Sequence, residues 1–313
     1  MKLHEICKVF DNGLHNAFTS IAWFRGSPYV AFRRGHDHVS ADGRVIVLRG
    51  DSGGRHWLPA GVVWAGMDTR DPKLLATPEG LFVYCFSRRT EPDRVVSGYA
   101  YSADGEVWQP WQSVQADSVY WRPEWLAGAA DVAAYGRQAD LEEGPVVLKH
   151  SADGRRWEDI CTLVEADPKT QPNETALALD GDGVMWALVR RERGSGRPLL
   201  GAAQPPYNRW ECNELPIKLQ GPYLWFVGGN LYLSGRWFQP SGMVNTAVLR
   251  LDGPEPVPQL VLPSGGDTSY MGAVPAKPEG GDRWWLTYYS SHEYLAHGGV
   301  QRSAIYLADV TLD

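Results

Sequence analysis

The chain has 313 residues and a formal net charge of −7, with 14 tryptophans, 14 tyrosines, 22 prolines and 34 glycines spread along its length. No basic run or basic–aromatic alternation is present, which argues against a nucleic-acid partner, and no stretch of about 18 apolar residues could form a helical membrane span. Residues Met1–Phe10 lack the apolar core of a signal peptide, so a cytoplasmic protein is expected, and an acidic protein that binds an anion must concentrate its arginines locally.

In chain order the sequence reads as short apolar strands separated by glycine-bearing turns, with almost nothing helical. The first group runs from Thr19 to Trp57. A second opens at Arg70-Asp-Pro-Lys-Leu-Leu75, and a third at Trp121-Arg-Pro123, where proline suits the first residue of a strand. The fourth starts at Asn173-Glu-Thr-Ala-Leu-Ala-Leu179 and returns as Met185-Trp-Ala-Leu-Val189. The fifth holds Gly221-Pro-Tyr-Leu-Trp225, and the last holds Tyr270 and Trp284-Trp-Leu-Thr-Tyr-Tyr289. No linker divides the chain, so residues 1–313 are expected to form one domain. Its edge is expected to close when Glu5-Ile-Cys-Lys-Val-Phe10 adds a strand to the last group. The four cysteines have no C-x-x-C spacing, and neither a metal, a disulfide nor a cofactor is assigned.

One segment occurs twice: Ser102-Ala-Asp-Gly-Glu-Val-Trp108 and Ser151-Ala-Asp-Gly-Arg-Arg-Trp157, with weaker echoes at Asp51-Ser-Gly-Gly-Arg-His-Trp57 and Ser40-Ala-Asp-Gly43. Ser and Asp bonding their own backbone, Gly at positive φ and a returning Trp describe a hairpin clip that staples a sheet. Recurrence about every 50 residues points to a radial repeat. The clip resembles the Asp-box (BNR repeat) of sialidases, and the resemblance implies an all-β, six-bladed β-propeller.

In a propeller the innermost strands line the axis, so charged residues at their openings converge although they are distant in sequence. Arg70, Arg122, Glu174 and Tyr270 stand at such openings, while Arg190 and Arg236 end second strands. Sialidases grip the sugar carboxylate with three arginines and use a tyrosine nucleophile activated by a glutamate. Asn173-Glu174 followed by Ala187-Leu-Val-Arg190 is similar to that family's Asn-Glu stretch and second arginine, and Arg236 before Tyr270 to its third arginine and nucleophile. The resemblance thus implies Tyr270 and Glu174 as catalytic, and Arg190 and Arg236 as the carboxylate clamp. Its first arginine is missing: the corresponding strand reads Asn16-Ala-Phe-Thr-Ser-Ile21. Arg70 or Arg122 could supply the third donor.

The family's acid maps to the loop Arg33-Arg-Gly-His-Asp-His38, which offers Asp37 or, in its place, His36 or His38, with Arg33 beside it as a further substrate contact. His36-x-His38 could also be half of a metal site. Asp71, between Arg70 and Pro72, could be an acid or the structural partner of Arg70, and the ion-pair role is the one favoured. His292 is expected to reach substrate from a loop of the last blade. These residues point to an exo-glycosidase removing a terminal anionic sugar. A uronate lyase, which needs only a clamp and a base, and a non-catalytic sugar-binding propeller are the alternatives.

Overall fold

A computed structural model describes residues 1–90, 93–137, 143–295 and 301–312. It contains six antiparallel sheets arranged as the blades of a β-propeller. Blade 1 comprises His15–Phe24, Ser27–Gly35, Arg44–Gly50 and Trp57–Val63, paired in chain order. Blades 2, 4 and 5 repeat that plan from inner strands Asp68–Ala76, Pro172–Leu179 and Lys218–Val227. In blade 3 the inner position is split between Ser118–Tyr120 and Glu124–Leu126, both paired with Ala129–Arg137. Blade 6 takes three strands from the C-terminal end, beginning with Thr268–Pro275, and its outermost strand from Lys2–Phe10. That strand pairs antiparallel with Ala304–Thr311, Cys7 opposite Leu307, so the first and last parts of the chain close the ring together.

Each blade has four strands at radial positions, one more than the apolar runs suggested, because the outermost strands are half exposed and carry little hydrophobic signal. The repeated segments do not end blades. Ser102–Trp108 connects Asp93–Ser102 to Gln112–Ala116 within blade 2, and Ser151–Trp157 makes the same connection in blade 3.

Asp104 Oδ1 accepts from the backbone N–H of Glu106 and Val107 at 2.9 and 2.8 Å, and Asp153 Oδ1 accepts from Arg155 and Arg156 at 2.8 and 2.9 Å. These turns join neighbouring blades as well as strands of one sheet. Trp108 Nε1 donates to the Ala60 carbonyl of blade 1 at 3.0 Å, and Trp157 Nε1 donates to the Tyr84 hydroxyl of blade 2 at 2.9 Å. Gly154, at φ +67°, lies against Leu75 and Phe82 of blade 2. The hydrophobic core is correspondingly distributed between blade faces, as where Tyr29 and Val47 of blade 1 meet Leu74 and Val83 of blade 2.

One backbone feature recurs near the axis. Pairing between inner and second strands slips between Ala17 and Ser20, Arg70 and Lys73, Pro172 and Thr175, Gln220 and Tyr223, and Ser269 and Gly272. In blade 3 the ladder breaks between Tyr120 and Glu124 at the same level. Such bulges re-aim side chains. Phe18, Asp71, Gly221 and Tyr270 occupy them at φ of 63°, 54°, 61° and 51°. Pro72, Pro123 and Pro222 fall here, inside bulges or the break and not at strand openings, because proline cannot donate to the ladder.

Candidate active site

The bulged residues meet second-strand ends in a cavity of about 440 Å³ at one end of the axis. Among the described residues six arginines, Arg70, Arg88, Arg137, Arg190, Arg193 and Arg236, line it against three carboxylates, Asp71, Glu174 and Glu192. A chain with net charge −7 therefore presents a cationic lining at one place.

Tyr270, Glu174 and Arg190 form its floor. The Tyr270 hydroxyl donates to Glu174 Oε1 at 2.8 Å, and Arg190 Nη1 lies 2.7 Å from Glu174 Oε2 and 3.2 Å from the Tyr270 oxygen. Arg190 also pairs with Glu192. All three floor residues are buried. Burial, reinforced by the Glu174 charge, pushes the Tyr270 phenol well above its ordinary pKa, with Arg190 and Arg236 opposing. Burial acts to lower the Arg190 pKa, but the neighbouring carboxylate charge, that of Glu174 foremost, outweighs it and holds the guanidinium cationic. The resting state is thus a neutral phenol hydrogen-bonded to a carboxylate, the arrangement in which a phenol oxygen can attack while its proton passes to the partner.

Arg236 reaches the cavity from blade 5. Its Nη2 donates to Asp267 Oδ1 at 2.8 Å and to the Tyr289 hydroxyl at 3.2 Å, and its Nε to the Thr268 carbonyl at 3.1 Å. Asp267 additionally accepts from the Tyr289 hydroxyl at 2.6 Å and faces His15 Nε2 and His38 Nδ1 at 2.9 and 2.8 Å. Burial favours its neutral form, yet the hydrogen bonds from the two histidines and the Arg236 charge hold its carboxyl well below the usual range. It stays ionised and anchors Arg236.

His15, His38 and Asp267 bring metal-ligand atoms within 4.8 Å of one another. Their other partners decide their role. His15 Nδ1 faces Arg33 Nη1 at 3.3 Å and His38 Nε2 faces Arg70 Nη2 at 3.4 Å. Arginine only donates, so these ring nitrogens accept and the nitrogens facing Asp267 carry the protons. The cluster is a hydrogen-bond network around one carboxylate, and neither histidine offers that carboxylate's side a lone pair.

The loop after blade 1's second strand departs from expectation. Arg33 is fully buried and does not line the cavity: its Nε donates to Asp68 Oδ1 at 2.7 Å, and its Nη1 to the Asp37 carbonyl at 2.9 Å. A Cβ on Gly35 would come within 2.7 Å of the Arg33 guanidinium, and one on Gly43 would collide with Asp68, so both positions require glycine. With the loop held this way, His38 faces the cavity while Asp37 turns outward to pair with His36 Nδ1 at 3.1 Å. Asp71 enters the cavity from its bulge, with Oδ2 accepting from Arg70 Nε at 3.0 Å. His292 is also displaced from the site; its ring packs on Tyr306 and its Nδ1 meets Ser290 Oγ at 2.9 Å.

Arg122 lies beyond the bulges, with its guanidinium over the Tyr223 ring and Nη2 donating to the Met271 carbonyl at 2.8 Å. Phe18 and Trp121 pack edge-on to Tyr270, with centroids at 5.0 and 5.3 Å. Phe18 escaped sequence reasoning because an aromatic there reads as ordinary core; the signal that could have found it is its register with Asp71 and Tyr270 at the bulges of their inner strands.

No protein-family model matches the chain, and no curated protein matches it. Solved structures do. A protein of unknown function from Dyadobacter fermentans superimposes with a TM-score of 0.75 at 16% identity, covering 98% of this chain and 99% of that one. An α-L-arabinanase from Penicillium chrysogenum, solved with arabinobiose, gives 0.75 at 13% identity with 99% of both chains covered. An α-L-arabinofuranosidase from Fusarium graminearum, also solved with arabinobiose, gives 0.70 at 12% identity, covering 99% of this chain and 98% of that one. At these identities the likeness establishes the six-bladed propeller fold.

Proposed function

We propose that this propeller is a glycoside hydrolase that removes a terminal anionic sugar. The observation that carries the reading is the 2.8 Å contact between the Tyr270 hydroxyl and Glu174, bridged by Arg190, on the floor of an arginine-lined cavity. A cavity of about 440 Å³ falls in the ~300–1,000 Å³ range of small-ligand sites.

In this reading Arg190 and Arg236, with Arg70 on the adjoining wall, hold the sugar carboxylate. The Tyr270 oxygen attacks the anomeric carbon as its proton passes to Glu174 Oε1, and Arg190 stabilises the charge developing between them. Asp71, entering from blade 2 while Glu174 enters from blade 4, supplies the proton to the departing oxygen. His38 is less suited to that step, because the ring nitrogen facing Arg70 carries no proton. Water then breaks the tyrosyl–sugar bond, with Asp71 taking the proton from the water and Glu174 returning its proton to the departing Tyr270 oxygen.

Phe18 favours a second reading. It occupies the bulge of blade 1 where an arginine was sought, and two of the similar folds are named as an α-L-arabinanase and an α-L-arabinofuranosidase, each with arabinobiose. In that case Glu174 attacks a neutral pentoside directly and Tyr270 only positions it.

Wild type and Tyr270→Phe, incubated with sialosides, uronate-terminated oligosaccharides and arabino-oligosaccharides, separate the readings by product mass. Release of an acidic sugar that falls by about 10³-fold or more in the variant supports the tyrosine nucleophile. Release of arabinose at similar rates from both proteins transfers the role to Glu174. An unsaturated product absorbing in the ultraviolet identifies elimination, and binding without any product identifies a sugar-binding module.

A further inference from the structure

The inner-strand bulges divide the axis into two ends. Residues before and at the bulges line the arginine-rich cavity, whereas those after them line a second cavity of about 230 Å³ at the opposite mouth. Its walls include Trp23, Trp125 and Tyr223, and its charged groups are Lys73, Arg122 and Glu124.

Lys73 is a lysine in the middle of an inner strand and is 1% exposed. Its ammonium lies 4.6 Å from the Trp121 ring centroid and 5.7 Å from that of Tyr270, directly behind the floor of the first cavity. Among the described residues no acceptor lies within hydrogen-bond reach of Lys73 Nζ or of Arg122 Nε. Among the described residues Glu124, at 3.9 Å, is the one carboxylate paired with Arg122, and the guanidinium face is occupied by Tyr223 at 4.2 Å. Burial, with Arg122 nearby, lowers the Lys73 pKa to about 7, and burial raises that of Glu124 to about 7. A buried lysine and arginine facing a lined cavity with incomplete hydrogen bonding are an unusual expense for a core, and an anion completes them.

The geometry points to a binding site for a small organic carboxylate at this far mouth, its charge held by Lys73 and Arg122 and its body lying between Trp23 and Trp125. The aromatic walls favour a flat or cyclic body over a bare halide. The site stands apart from whatever the first cavity turns over.

The probe is 4-bromobenzoate, whose bromine is located directly by anomalous scattering. Crystals of the full chain grown with it are expected to show the bromine between Trp23 and Trp125, with the carboxylate toward Lys73; a bromine peak only in the Tyr270 cavity, or none, overturns the proposal. In solution, calorimetric titration uses the Arg236→Ala background, which weakens anion binding at the first cavity. There Lys73→Met is expected to reduce 4-bromobenzoate affinity at least tenfold, and unchanged affinity overturns the assignment. Glu124→Gln, at a partly exposed position, provides a second arm that does not depend on the lysine variant folding. Removing the competing carboxylate is expected to tighten binding at least threefold, and unchanged or weaker binding counts against the site.

Discussion

Replacing Asp267 by Asn tests the network that holds Arg236, and it needs no substrate. The carboxylate accepts from four groups: Arg236 Nη2, the Tyr289 hydroxyl, His15 Nε2 and His38 Nδ1, at 2.8, 2.6, 2.9 and 2.8 Å. An amide keeps one acceptor oxygen and presents an NH₂ group where the other oxygen stood, so two donors lose their acceptor and meet donors instead. Each orphaned buried donor costs about 1–3 kcal/mol, and leaving Arg236 without its partner costs about 3–5 kcal/mol. These terms overlap, so a loss of about 4 kcal/mol is expected, or roughly 6 °C in Tm for a chain of this size.

The pH dependence carries the sign. Asp267 has a folded-state pKa well below the unfolded value near ~3.9, so the folded state releases its proton more readily. The stability it contributes is fully present above the unfolded value and is lost as pH falls below that value toward the folded one. Scanning calorimetry of wild type and variant between pH 7 and pH 3 should therefore show the Tm gap at its widest near neutrality and narrowing below about pH 4. A gap under about 1 °C at pH 7, or one that does not change with pH, refutes the reasoning.

Other consequences are read by melting temperature or solubility. Arg33→Met breaks a fully buried ion pair with Asp68 and is expected to cost about 3–5 kcal/mol, whereas Arg193→Met at the exposed rim should leave Tm within about 1 °C. Asp153→Ala removes the acceptor for two backbone N–H groups of the blade 3 turn and should lower Tm by roughly 1.5–3 °C through a loss of about 1–2 kcal/mol. Deleting residues 1–10 strips the outer strand from blade 6 and exposes the edge of Ala304–Thr311, so soluble yield should fall and Tm should drop; an unchanged Tm would remove the closure role.

Local chemistry made a good part of this protein legible in one dimension. Apolar runs between glycine turns, and two copies of Ser-Ala-Asp-Gly-x-x-Trp, carry the strand count per repeat to within one and imply radial symmetry, because hairpin turns and their side-chain caps depend on neighbours in sequence. Glu174, Arg190, Arg236 and Tyr270 stood out for a similar reason: each is a charged or hydroxylated residue in an otherwise apolar strand. What the residues could not show was which end of the axis each side chain would face. That was decided by the bulges, which insert backbone into the inner strands and break the two-residue alternation on which facing is read.

So Asp71 turns into the cavity while Asp37, in a loop tied down by buried Arg33, turns away. Arg122, read as a possible third donor to the substrate, faces the opposite mouth together with Lys73, and the indole rings of the turns bind adjacent blades, a contact that exists only once the blades stand side by side.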